Sequence, residues 1–207
     1  TFLGAGDSNQ NGNDARVSRG YSRFHTPHRL TFFGTYRLPF FAADNGWKGS
    51  LLGGWQMSVV HKRVHGTPFT VTGTGFDLNF DGFNESRPVL LDTSILGRSI
   101  SSPRDLILPA SAFRSPTSIA DFNCCVLGRN TFFIDGVNNT DLAFSKIFKM
   151  PWERHSLYFR ADLFNAFNHF QWGFPNTNHT TTTFGLITTA ANQYAPRNVQ
   201  LSLKYNF

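Results

Sequence analysis

Apolar and polar residues alternate with a period of two through several stretches of this chain, and no helical period of any length accompanies them. In "HRLTFFGTYRLP", Leu30, Phe32, Gly34, Tyr36 and Leu38 fall to one side and Arg29, Thr31, Phe33, Thr35 and Arg37 to the other. "GGWQMSVVHKRVHG" (residues 53–66) gathers Trp55, Met57 and Val59 on one side. "NNTDLAFSKIFKM" (138–150) alternates Leu142, Phe144 and Phe148 with polar neighbours. The clearest internal case is "HSLYFRADLFNAF". There Leu157, Phe159, Ala161 and Leu163 point one way, and Tyr158, Arg160, Asp162 and Phe164 the other. "VQLSLKYNF" alternates Val199, Leu201, Leu203, Tyr205 and Phe207 with Gln200, Ser202, Lys204 and Asn206. Successive side chains of a strand leave opposite faces of its sheet, so each stretch predicts a strand with one apolar and one polar face.

The connections differ sharply in length. "PWER" (151–154) is a short turn, and Asn45-Gly46 supplies a turn signal after the first strand. "TPFTVTGT" (67–74) either extends the second strand beyond Pro68 or forms a short strand of its own. Residues 75–131 hold Pro88, Pro103, Pro109 and Pro116 and read as a long functional loop with helical turns around 109–114. An Asn/Thr-rich connection over 171–196 includes a short strand at 184–188, and residues 1–27 read as loop or strand remnant. Residues 28–207 are then five or six strands of about ten residues, and about ten tilted residues cross a hydrocarbon core. The expected fold is all-β, an antiparallel transmembrane β-barrel present only in part, with long extracellular loops. A secreted β-sandwich also alternates, but its strands run nearer to about six residues.

Composition supports a barrel over a helical membrane protein. Of 207 residues, 23 are Phe and only 15% are charged, yet mean hydropathy is −0.25. No apolar run reaches the roughly 18 residues of a spanning helix. The net charge of +6 would suit nucleic acid, but the bases are scattered among aromatics and no nucleic-acid motif is present, so that partner is not expected. Cys124 and Cys125 are adjacent and read as two free thiols, since neighbouring Cα atoms are closer than an ordinary disulfide prefers. The chain opens at Thr1 without a signal segment and reads as a piece of a longer or processed protein. No Gly-x-Ser-x-Gly elbow occurs, and the chain is not expected to be an enzyme.

One stretch has the spacing of a metal loop. "DLNFDG" places Asp77, Asn79 and Asp81 at alternate positions before Gly82, as in the first half of a calcium loop, with the Phe83 carbonyl and Glu85 as further oxygen ligands. Pro88 stands where the bidentate Glu would be, which favours an Asp/Asn turn capped by its own side chains. His61 and His65 are four apart on a strand, a spacing that does not bring them together as it would on a helix.

Together "HRLTFFGTYRLPF", "GGWQMSVVHKRVHGTPFTVT", "DLNFDGFNESRP", "TDLAFSKIFKM", "LYFRADLFNAFNHFQWGFPNTN" and "RNVQLSLKYNF" resemble the C-terminal barrel of TonB-dependent outer-membrane receptors, in particular the Oar-like branch. "FRADLFNAFNH" with the terminal Phe is the most specific part. The resemblance implies a barrel of about 22 strands in a Gram-negative outer membrane, closed around a plug. It implies energised uptake of a large ligand, with TonB engaged through an N-terminal part of the protein. The partners it implies are outer-membrane lipid, the rest of the same barrel and plug, and the barrel-assembly machinery. That machinery would read Val199, Leu201, Leu203, Tyr205 and Phe207, while Tyr158, Arg160 and Asp162 would face the lumen. The family pattern has an Asp just before Arg87-Pro88 where this chain has Ser86, one calcium ligand fewer. The alternative function is a surface adhesion or assembly protein that uses the barrel as an anchor.

Overall fold

The computed structural model describes residues 11, 14–41, 46–82, 84, 86–100, 108–152, 154–188 and 195–207. Among these, the strands in chain order are β1 (Arg29–Arg37), β2 (Gln56–Val64), β3 (Pro68–Phe69), β4 (Val89–Leu90), β5 (Ser99–Ile100), β6 (Phe113–Arg114), β7 (Phe132–Ile134), β8 (Val137–Lys149), β9 (Ser156–Phe164) and β10 (Asn198–Asn206). Two short helices, α1 (Trp47–Leu52) and α2 (Ile119–Cys124), join them. The chain divides into two compact units, one of residues 28–64, 137–170 and 193–207, the other of residues 1–27, 65–136 and 171–192.

The first unit is a five-stranded antiparallel sheet in the order β1-β2-β8-β9-β10. Its strands are the five long stretches of period two, and the pairing keeps every apolar set on one face. Leu142, Phe144 and Phe148 of β8 oppose Leu163, Ala161 and Leu157 of β9. Those in turn oppose Val199, Leu201 and Tyr205 of β10, and Leu203 opposes Phe159. On the other side Met57 and Val59 oppose Phe144 and Leu142, and Tyr36 and Gly34 of β1 continue the row. A slip of one residue at any pair would turn that strand's apolar set to the polar face, so the pattern itself fixes the register. β1 and β10 are the edges of this sheet.

Because the strands are antiparallel, the connections fall at two ends. The β8–β9 turn and the β1–β2 connection leave one end, where Tyr205 also lies; the long β2–β8 and β9–β10 connections leave the other. The β1–β2 connection corrects the expectation of a turn at Asn45-Gly46. Asn45 lies outside the described residues, and from Gly46 the chain enters α1 instead of a tight turn.

The second unit is made largely of the two long connections, and it has a core of its own. Phe69, Val71, Ile95, Leu108, Phe113, Leu127, Phe132, Phe184 and Ile187 are buried together. The connections are tied by backbone bonds: Thr72 N–H donates to Thr177 O at 2.9 Å, and His179 N–H to Thr72 O at 2.8 Å. β3 therefore pairs with β7 as a separate short strand and does not extend β2. A single helical turn forms at Ala110–Ala112, within the region expected to be helical. The short strand expected at 184–188 is absent; Phe184 closes a turn on Thr181 and puts its ring into the core. Cys124 and Cys125 are joined as a disulfide, against the expectation of free thiols. α2 ends there, and Cys125 leaves helical geometry (φ −136°, ψ −2°).

Candidate functional site

The sheet presents two chemically distinct walls. Tyr158, Arg160 and Asp162 share the polar face with Lys204, Ser202 and Gln200 of β10 and with Ser145 and Ala143 of β8. Arg160 and Asp162 are two apart on one strand, hence on the same face, and the guanidinium holds the carboxylate at 2.7–2.9 Å. The pair brings two charges close to neutrality without leaving the wall. Thr35 and Ser58 continue the polar face with a hydroxyl pair at 3.2 Å.

Aromatic rings gather where β10 ends. Tyr205 stacks on Phe207 (centroids 6.1 Å apart) and on His155 (5.7 Å), and Trp152 meets His155 edge-on. Val199, Leu201, Leu203 and Tyr205 form the apolar row leading to this cluster, all of them solvent-exposed in the isolated sheet.

At the opposite end the "FNAFNH" stretch closes β9 with a clasp that sequence reading did not resolve. Asn165 adopts φ +49° and Asn168 φ +51°, a left-handed geometry that Asn tolerates better than most residues. The buried Asn165 side chain accepts from His169 N–H at 2.8 Å and donates to His169 O at 2.9 Å and Ala195 O at 3.2 Å. Asp141 accepts Asn165 N–H at 2.8 Å, and Asn168 accepts Arg197 N–H at 3.0 Å. The start of the β9–β10 connection is thus tied to β8, and its far end is tied to its start. A cleft of about 330 Å³ opens beside them, lined by Asn139, Asp141, Phe164, Asn165, Pro196 and Asn198. The available signal was the pair of Asn residues three apart immediately after a strand, a turn former twice over.

The loop with calcium-like spacing is closed on itself. Asp77 accepts Asp81 N–H at 3.1 Å and Gly82 N–H at 2.9 Å, and Asn79 also accepts Asp81 N–H. Gly82, at φ +84°, makes the turn that Gly alone adopts without strain. Glu85 and Phe83 lie outside the described residues, and among the described residues no three acidic, His or Cys side chains form a metal cluster. His61 and His65 do not converge either. His61 bonds Thr140 Oγ1 at 2.9 Å, while His65 meets the Phe133 ring edge-on. The backbone bonds are enough to hold the turn, so stripping calcium with EGTA is expected to leave protease cutting between residues 75 and 88 unchanged. Cutting that calcium suppresses would restore the metal.

Asp121 organises a second part of the loop unit. Its carboxylate takes Arg114 in a two-pronged pair at 2.7 and 2.8 Å and accepts Thr117 N–H at 3.0 Å. Ser118 caps α2 by accepting Asp121 N–H. The Arg114 hydrogen bonds, then the Thr117 N–H, hold the Asp121 carboxyl well below its ordinary range. A folded-state pKa below the unfolded value adds stability above the unfolded pKa and withdraws it as pH falls through the folded one. Protection from hydrogen exchange over 113–125, taken against the intrinsic rate at each pH, is therefore expected to fall on acidification below the ordinary Asp pKa of about 4. In Asp121→Asn the same segment is expected to exchange faster at neutral pH and to lose that pH response.

A family model described as an outer membrane beta barrel domain matches residues 1–200. The chain belongs to this family. No curated protein and no solved structure matches it.

This is therefore an outer-membrane β-barrel chain, and its two walls acquire solvents. In such barrels the outward face is an apolar band toward lipid and the inward face is polar, with short turns on the periplasmic side and long loops outside. By that rule the apolar row through Phe144, Ala161 and Leu201 is the wall expected to face lipid. The long connections, with their own core, belong to the extracellular side, and the Tyr205 end is periplasmic. The five strands form an open sheet in which β1 and β10 do not pair with each other. The clasp at Asn165 anchors an extracellular connection of the barrel. Asn165→Ala removes three hydrogen bonds and places Ala at positive φ, with an expected cost of about 2–4 kcal/mol. Asn165→Gly, which relieves only the backbone, is expected to recover a minor part. Protease cutting between residues 166 and 197 of the assembled barrel measures both.

Proposed function

We propose that this chain supplies barrel wall and extracellular loops to a TonB-dependent receptor, which takes up, with energy from the inner membrane, a ligand too large for porins. The observation that carries the reading is the loop unit. Loops that merely joined strands would need no aromatic core, whereas residues 65–136 and 171–192 bury Phe69, Phe113, Phe132 and Phe184 together. A preformed surface of that kind suits recognition of a large ligand, because little ordering entropy remains to be lost on binding. The Asn and Thr side chains around 176–183 supply hydrogen-bonding groups suited to an oligosaccharide or peptide.

In this reading Tyr158, Arg160 and Asp162 face the lumen and the plug, and the free edges of β1 and β10 pair with the rest of the same barrel, since a bilayer does not tolerate unpaired strand edges. TonB is met through another part of the protein. The chain performs no chemistry, binds no nucleic acid and needs no cofactor, with calcium at Asp77, Asn79, Asp81 and Glu85 the one candidate.

The test uses cells expressing the full-length protein and a pool of fluorescent oligosaccharides and peptides above the porin limit. Accumulation that an uncoupler of the proton gradient abolishes, together with a TonB adduct after in-cell crosslinking, supports the receptor. Surface binding that neither enters the cell nor responds to the uncoupler, with no TonB adduct, favours the adhesion anchor.

A further inference from the structure

A cation interrupts the apolar row of β8. Lys146 lies on the apolar face of β8, between Phe144 and Phe148, and pairs across the sheet with Phe159. It is only 5% exposed. A lysine directed at hydrocarbon is costly unless its ammonium reaches water or protein acceptors. Here it reaches acceptors. Nζ donates to the carbonyl oxygens of Gly49 and Gly53 and lies 5.0 Å from the centre of the Phe148 ring.

Gly49 lies in the last turn of α1 and Gly53 is its C-cap, at the end that carries the helix's negative dipole. Each group answers the other's need. Lys146 gives the Gly53 carbonyl a charged donor and shares the Gly49 carbonyl with Gly53 N–H, which bonds it at 3.0 Å, and without α1 the ammonium would face hydrocarbon. Trp55 completes the contact. Its ring packs edge-on against Phe148 at 6.4 Å and Phe159 at 5.9 Å, and its indole N–H donates to Leu51 O at 3.1 Å. Gly53 is required for this approach, since a Cβ there would stand 2.5 Å from the Phe41 carbonyl oxygen.

The register makes room for the helix. Gln56 pairs with Ser145, while β8 continues to Lys149. The segment before β2 therefore runs alongside the last residues of β8 and folds over the apolar face. What it shows outward is also apolar. Trp47 is 70% exposed and Leu51 53%, with Phe40, Phe41 and Leu52 exposed beside them. Lys48 Nζ stands 6.0 Å from the centre of the Trp47 ring, an ammonium at the edge of an aromatic patch.

We infer that α1 and the residues that lead from it into β2 are seated on the outside of the barrel, within the phospholipid of the periplasmic leaflet, clamped to the lipid wall by Lys146. The occupant of the patch is lipid because the patch continues the lipid wall directly through Trp55, Phe148 and Phe159, and because it lies at the same strand ends as Tyr205. Aromatic rings with a neighbouring lysine are what the boundary between hydrocarbon and headgroups accommodates.

The test places single nitroxide labels at position 51 of the full-length barrel, in a Cys124→Ser, Cys125→Ser background. The barrel is reconstituted in vesicles of phosphatidylethanolamine and phosphatidylglycerol. Labels at Leu201 and Ser202 provide lipid-wall and polar-wall references. The label at 51 is expected to collide preferentially with oxygen, as at 201. A preference for the aqueous nickel chelate, as at 202, would overturn the inference, and so would a label shielded from both reagents, which would mean that protein covers the patch. Lys146→Met keeps the length and removes the ammonium. It is expected to raise the mobility of the label at 51 several-fold while the barrel stays heat-modifiable, and an unchanged label in that variant would overturn the clamp. Should Lys146→Met fail to assemble, the label at 51 in the unmodified barrel still decides where the segment lies.

Discussion

Arginine at position 161 is expected to destabilise the assembled barrel by about 2–4 kcal/mol, the cost of a guanidinium on the lipid face near the bilayer midplane. Ala161 lies within β9, between Phe144 of β8 and Leu201 of β10. The matched control is Gln200→Arg. Position 200 pairs with Asp162 on the polar wall, where a second cation finds both water and a carboxylate. That variant is expected to differ little from the unmodified protein. Urea titration of the refolded full-length barrel in lipid vesicles measures both. Equal costs at 161 and 200 would mean that the two faces do not meet different solvents, and the wall assignment would fall with them.

The contrast explains why the wall was legible in the sequence and the rest much less so. A strand between lipid and a polar interior meets a different solvent on each side at every residue, so the environment is written locally as alternation. β1, β2, β8, β9 and β10 coincide with the five alternating stretches for that reason. Lys146 shows where the reading runs out. It interrupts the apolar row of β8, and nothing local indicates that the carbonyls of Gly49 and Gly53, nearly a hundred residues earlier, receive it. α1 has six residues, Gly49 among them, too few for a helical period to register. The loop unit is hidden for the same physical reason on a larger scale. Its order depends on contacts such as Thr72 with Thr177 and Asn130 with Tyr21, whose partners no short window contains. The clasp was half visible. "FRADLFNAFNH" stood out by resemblance, but the role of its Asn residues emerged only once Ala195 and Arg197 were placed beside them.

Replacing Phe207 with Ser is expected to lower the amount of heat-modifiable barrel in outer-membrane fractions several-fold, with little change in the heat stability of the barrel that does assemble. Phe207 stacks on Tyr205 in the aromatic cluster at the periplasmic strand end, so its ring contributes interfacial energy. That contribution is limited. Full burial of such a side chain is worth about 1.5–3 kcal/mol, and Phe207 is 91% exposed in the sheet, so the sheet itself gains only a fraction. A loss of that size cannot empty a membrane of a barrel whose removal would expose every strand edge to hydrocarbon. A large fall in amount must therefore arise before insertion, at the step where the proposed assembly signal of Val199, Leu201, Leu203, Tyr205 and Phe207 is read. The two quantities separate the explanations. A Phe207 that serves only as interfacial ballast would lower the melting temperature slightly and leave the amount alone. A Phe207 that is read by the assembly machinery lowers the amount and leaves the melting temperature alone. Tyr205→Ser is expected to do both, because Tyr205 is paired within the sheet opposite Leu157 as well as belonging to the signal. Asn206→Ser, on the polar face between them, is expected to do neither. If Phe207→Ser assembles as fully as Asn206→Ser, the alternation in β10 is that of an ordinary edge strand and no signal is read there.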